Sequence, residues 1–76
     1  VSNVKAVSFS PAKVHQNLYF KADGKAVKTK FEIYDAYGNL LKTGYNSTVD
    51  CTNFVSGVYF INYDNKSEKF IKIDVP

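Results

Sequence analysis

Large side chains recur at every second position along nearly all of this chain, and no stretch keeps a helical period for three turns. The alternation breaks into short segments separated by turn residues. It predicts a first strand over about residues 4–9, ended by Pro11, which has no N–H to give a neighbouring strand. A second strand runs from Asn17 to Ala22, with Leu18 and Phe20 on one face and Tyr19 on the other. Asp23-Gly24 then turns the chain, since glycine accepts positive φ without steric penalty. A third strand over Thr29–Asp35 sets Phe31 and Ile33 against Glu32 and Tyr34. Asp35-Ala36-Tyr37-Gly38-Asn39 reads as a hairpin connection with Gly38 left-handed, leading into a fourth strand, Asn39–Thr43. Gly44 to Ser47 reads as a polar loop, and Thr48–Cys51 as a short fifth strand.

Asn53 to Gly57 returns the chain, and Gly57 opens a sixth strand, Val58–Tyr63. That strand is apolar on both faces and is expected at the centre of a sheet. Asp64-Asn65-Lys66 turns into a last strand from Glu68 to about Val75. Parity groups Ile71, Ile73 and Val75 on its core face, with Lys69 near its beginning and clear of the core. About seven strands at turn-punctuated spacing predict an all-β fold, a small antiparallel β-sandwich. Residues 1–76 carry no linker and no internal repeat, and read as one module.

Composition supports a core built from aromatics: Phe and Tyr number six each, and Met and Trp are absent. The chain begins at Val1, which suggests a piece of a longer protein. No apolar run approaches the roughly 20 residues of a membrane helix. The single Cys51 cannot form an internal disulfide and is expected to be buried as a small hydrophobe.

The net charge of +3 comes from ten lysines and no arginine, which argues against a dedicated nucleic-acid or phosphate site. Lys21, Lys25, Lys28 and Lys30 gather around a turn and read as a solvated hairpin end, or as a weak site for an acidic surface such as lipopolysaccharide.

Reaction chemistry is hard to assemble from these residues. Asp35, Asp50 and Asp64 fall at strand ends or turns, where carboxylates bond their own backbone. His15 stands alone in a loop, far in sequence from Cys51. There is no HxH, no CxxC and no glycine-rich phosphate loop, so neither metal, cofactor nor enzymatic activity is expected. Two recognition surfaces are open instead. Tyr19 and Tyr34 would form an outward platform if their strands pair, with Tyr37 in the adjacent loop, suited to a sugar ring or a protein partner. The last strand, guarded by Lys69 and Lys72, would offer an edge for strand addition or dimerisation if it lies at the side of a sheet.

Several segments in order resemble a known family. They are Val7 with Pro11-Ala12, Asn17-Leu18-Tyr19-Phe20, Phe31-Glu32-Ile33-Tyr34-Asp35 and Gly38-Asn39-Leu40-Leu41, then Val49-Asp50, Asn53-Phe54, Ser56-Gly57-Val58-Tyr59-Phe60 and Lys69-Phe70-Ile71-Lys72. Together they resemble the type A C-terminal sorting domains of the type IX secretion system of Bacteroidetes. The resemblance implies an immunoglobulin-like sandwich at the end of a secreted protein. It also implies transport of attached cargo through an outer-membrane translocon to the cell surface, and removal of the domain by a sortase-like peptidase. It matches Gly57 and Tyr59 to the family's Gly-x-Tyr element, and Lys69 and Lys72 to its terminal basic element. The chain departs from the pattern in having Phe9-Ser10 before Pro11, Cys51 at an aliphatic position, and Ile73-Asp74-Val75-Pro76 beyond the basic end.

A non-catalytic sorting domain is thus the first expectation. The alternative is an Ig-like accessory module of a secreted hydrolase, binding carbohydrate or protein through its tyrosines or capping its neighbour.

Overall fold

A computed structural model describes residues 6–74, which form nine strands and no helix. They are β1 (Ser8–Ser10), β2 (Lys13–Val14), β3 (Asn17–Ala22), β4 (Lys25–Ala26), β5 (Thr29–Asp35), β6 (Leu40–Asn46), β7 (Thr48–Asp50), β8 (Gly57–Tyr63) and β9 (Lys66–Lys72). In the first sheet β3 is central, with β1 along one side and β7 and β4 pairing with it as well. The second sheet has the order β2-β9-β8-β5-β6. Its run β9-β8-β5-β6 reproduces the G-F-C-C′ order of an immunoglobulin-like sheet, and β1, β3 and β7 stand as strands A, B and E. The start of the chain serves both sheets. β1 pairs with β3, the chain turns at the cis Ser10–Pro11 peptide, and β2 then pairs with β9.

The core lies where the two inner faces meet. Leu18, Phe20 and Val49 from the first sheet pack with Phe31, Ile33, Tyr59, Ile61, Tyr63 and Phe70 from the second, and Val14 and Cys51 complete the cluster. Aromatic rings supply the contact between layers: Phe20 lies 5.2 Å from Tyr63 and 5.9 Å from Phe31, centroid to centroid. Each such side chain removed from water contributes about 1.5–3 kcal/mol, which is how a chain this short sustains a sandwich.

Strand three of the reading, Thr29–Asp35, and strand two, Asn17–Ala22, stand where alternation placed them, and β8 lies between β9 and β5. Four features differ. The strands number nine rather than about seven, because β2 and β4 are two-residue pairings too short to show a period. The β2–β9 pair is parallel, in an otherwise antiparallel sheet.

Gly44 is not in a loop. It pairs with Phe31, whose ring lies over it and would stand 2.9 Å from a Cβ there, so β6 runs on to Asn46.

The fourth difference inverts the last strand. Asp64 and Asn65, both at positive φ, make a two-residue turn that pairs Tyr63 with Lys66. That register turns Phe70 and Lys72 to the core and Ile71 outward, the opposite of the parity expected from the isoleucines. Val75, like Val4 of the expected first strand, lies outside the described residues.

Candidate functional site

Between β7 and β8 the chain crosses from the first sheet to the second through residues 51–56. Short-range polar bonds shape this corner. The Asp50 carboxylate accepts the Thr52 N–H at 2.9 Å and the Phe54 N–H donates to Cys51 O at 3.0 Å. Both bonds hold the Asp50 region in a turn, and hydrogen bonding by Thr52, through its side chain first and its N–H second, holds the Asp50 carboxyl below its ordinary pKa. Gly57 then enters β8 at φ +152°, a conformation that side-chain-bearing residues rarely adopt. A Cβ on Gly57 would meet nothing within 4 Å, so the requirement is one of backbone and not of space.

Three side chains fasten the corner to the second sheet. The Tyr59 hydroxyl donates to Val55 O at 2.6 Å, four residues upstream. A tyrosine near the start of strand F reaching back to its own backbone is the tyrosine corner of immunoglobulin-like domains. The Phe54 ring stacks on Tyr59 at 5.0 Å and 22°, and Tyr59 stacks in turn on Phe70 at 5.5 Å and 19°. Burial of the phenol raises the Tyr59 pKa. Finally, Lys72 donates from Nζ to Phe54 O at 3.1 Å.

Lys72 is not the solvated basic strand end read from the sequence. It is only 4 % exposed, its aliphatic stem lying on the inward face of β9. Its ammonium meets one carbonyl, and lies 3.5 Å from the exposed Asp74 carboxylate. Lys69 differs: it points to the outer face, paired with Phe60, and is exposed. Of the four sorting-motif candidates the fold therefore gathers Gly57, Tyr59 and Lys72 at one corner, and sets Lys69 apart on the outer face.

The sequence reading did not single out Phe54, Phe70 or Val55 as part of this site. An aromatic three residues before Gly57 was a usable signal for Phe54. The carbonyls of Phe54 and Val55 had none, since every residue carries one.

The tyrosines of the proposed platform are dispersed. β3 and β5 belong to different sheets, so Tyr19 and Tyr34 face away from each other on opposite sides of the sandwich. Tyr34 donates to Glu32 at 3.1 Å, which raises its pKa. Tyr37 is 92 % exposed at the tip of the β5–β6 hairpin. That hairpin is rigidly bonded: Asp35 accepts from Tyr37 N, Asn39 N and Asn39 Nδ2 at 2.8–2.9 Å, bonds that hold its carboxyl below the ordinary range. Gly38 takes positive φ there as expected.

Cys51 is fully buried and its thiol points to Val49 O at 3.8 Å. Burial pushes its pKa up to about 11, the reverse of what an activated nucleophile needs. His15 is exposed. Among the described residues no three His, Cys, Asp or Glu side chains gather as a metal site.

The sandwich has a direction. The incoming chain is held at the far end of β8 and β9, where Val7 N–H donates to Asp64 at 3.3 Å and Lys66 donates to Val7 O. The corner lies at the other end, where Gly57 pairs with Lys72, a seven-residue strand or about 20 Å away.

Neither the curated proteins nor the solved structures yielded a match to the chain. A family model does match, that of the secretion system C-terminal sorting domain, over residues 10–74. The matched span runs from the end of β1 past the end of β9, and so takes in both sheets and the whole corner. With most of its length and its fold accounted for in this way, the chain belongs to the secretion system C-terminal sorting domain family, the sorting domains of type IX secretion.

Proposed function

We propose that this domain is a non-catalytic address that carries cargo joined to its N-terminal side across the outer membrane, to the cell surface or the medium. Its partners in this reading are the outer-membrane translocon and a sortase-like peptidase that separates it from the cargo. The observation that carries the proposal is the family match over residues 10–74. The polarity of the fold supports it. Cargo joined upstream of Val7 leaves from the Asp64–Lys66 end, so the corner holding Gly57, Tyr59 and Lys72 stays free of it. Gly57, Tyr59 and Lys72 serve here by shaping the corner, and Lys69 by presenting an exposed charge. The accessory-module alternative has no comparable support, since its tyrosines are not brought together.

The test is export. The domain is fused to a signal-peptide-bearing fluorescent protein in a Bacteroidetes host and compared with the same reporter lacking it. The expected result is reporter at the surface or in the medium only with the domain. A folded fusion that stays in the periplasm refutes the proposal.

A further inference from the structure

An antiparallel sheet with one face on the core is expected to turn polar residues outward along each strand. The outer face of the second sheet obeys this over only part of its length. Toward the Asp64-Asn65 turn the cross-strand row reads Ser67, Asn62, Glu32, Thr43. One step toward Gly57 the row becomes Lys69, Phe60, Tyr34, Leu40, and the next is Lys13, Ile71, Val58. Phe60, Val58 and Ile71 are 39 %, 40 % and 37 % exposed, although Phe60 and Ile71 are paired on both sides and Val58 is paired with Ile71. This is why β8 is apolar on both faces while only one of them meets the core. A contiguous apolar area of this kind on a soluble fold marks an interaction surface.

The β2–β9 side of the patch is basic. Lys13 and Lys69 lie on its β2–β9 side, and neither has an ion-pair partner among the described residues. Glu32, in the neighbouring polar row, is engaged by the Tyr34 hydroxyl. A second copy of this chain is a poor occupant. Two molecules that each carry +3 repel, and a face with two lysines and one neighbouring carboxylate, Glu32, does not complement its own charge.

We infer that this outer face docks a protein whose contact surface is apolar at its centre and carries carboxylates where it meets Lys13 and Lys69. The inference rests on the sorting reading and specifies the chemistry of the partner that reads the address. The patch adjoins the corner at the Gly57 end, so one partner could engage both.

The export fusion provides the test. One variant combines Val58→Thr, Phe60→Thr and Ile71→Thr, which keep good strand formers and leave the core face untouched. A second combines Lys13→Glu and Lys69→Glu, both at exposed positions. The lysine variant is expected to hold its urea midpoint near that of the parent, the threonine variant to lower it while staying folded at the growth temperature, and each to lower surface reporter roughly tenfold, as loss of central docking contacts would. In a third arm, Phe60→p-benzoylphenylalanine is irradiated in exporting cells, with the same photoprobe at Tyr19 on the opposite face as control. An adduct at position 60 and not at 19, to a protein other than the cargo and through a peptide containing Asp or Glu, is the expected outcome. If the parent fusion is exported and both variants are exported equally, the docking surface is overturned while the sorting reading stands. An adduct to a second copy of the fusion, or to its own cargo, overturns it too. Retention of the parent fusion in the periplasm overturns both.

Discussion

Lys72 separates two accounts of the basic end of this domain. If it is a surface charge, as its place in a Lys-x-x-Lys ending suggests, its removal leaves stability alone. The structure gives it a different role, because the stem is buried and Nζ bonds Phe54 O at 3.1 Å. Lys72→Ala deletes three buried methylenes, about 2.4 kcal/mol at ~0.8 each. It also deletes a charge-assisted hydrogen bond worth about 1.5–3 kcal/mol net. Relief of the buried ammonium's desolvation returns part of this, leaving an expected loss of about 2–4 kcal/mol. The Asp74 contact adds little, since that carboxylate is solvated. Lys72→Met keeps most of the stem and loses only the bond, so about 1–2 kcal/mol is expected. Lys69→Ala, on the exposed outer face, should stay within about 0.5 kcal/mol of the parent. Domains of this size are stable by only roughly 4–11 kcal/mol, so the three variants should separate clearly in urea denaturation monitored by tyrosine fluorescence. Equal midpoints for Lys72→Ala and Lys69→Ala would refute the corner-fastening role. The order Ala below Met below parent at position 72 would support it. An export defect in Lys72→Ala alone would then report loss of fold and not loss of a recognised charge.

Other consequences follow from the same geometry. Tyr59→Phe removes only the hydroxyl bonded to Val55 O and should lower stability by about 1 kcal/mol, or roughly 4–8 °C in Tm for a domain of this length, with the Phe54–Tyr59–Phe70 stack retained. Gly44→Ala places a Cβ 2.9 Å from the Phe31 ring, so calorimetry should show a loss of about 1–3 kcal/mol from overpacking, which a simultaneous Phe31→Leu would relieve. Cys51 should be inert to thiol reagents at pH 8 until urea unfolds the chain. Its pKa is raised from 9.0 to about 11, so its contribution to stability is complete below pH 9 and is lost as pH rises toward 11, where the unfolded chain has released a proton that the folded chain retains. Tyr59 and Tyr63, raised in the same direction, extend that loss to higher pH, and Cys51→Ala should flatten only the first part of the curve.

Much of the fold is legible in local pattern. The strands Asn17–Ala22 and Thr29–Asp35 were bounded by alternation together with turn residues that act within four positions of themselves. The Asp23-Gly24 and Gly38 turns depend on φ alone, and their residue types announce it. The burial of Cys51 also follows from its small apolar character.

What alternation could not settle is which strands pair. Parity divides each strand into two faces but does not say which face meets the core when both are apolar, as in β8, or when isoleucine and lysine compete, as in β9. The two-residue Asp64-Asn65 turn decided the second case by pairing Tyr63 with Lys66. A shift of one residue there would have buried Ile71 and exposed Lys72.

The sequence by itself determined an all-β domain, its main turns, an aromatic core and its family. Tertiary structure alone decided that Tyr19 and Tyr34 stand in separate sheets, that Gly57, Tyr59 and Lys72 meet at one corner, and that an apolar stripe faces outward beside two lysines. The physical reason is range. Turn and alternation preferences act between near neighbours in the chain, whereas the corner depends on Lys72 reaching a carbonyl 18 residues away. Only the assembled sheets bring those atoms within a hydrogen bond.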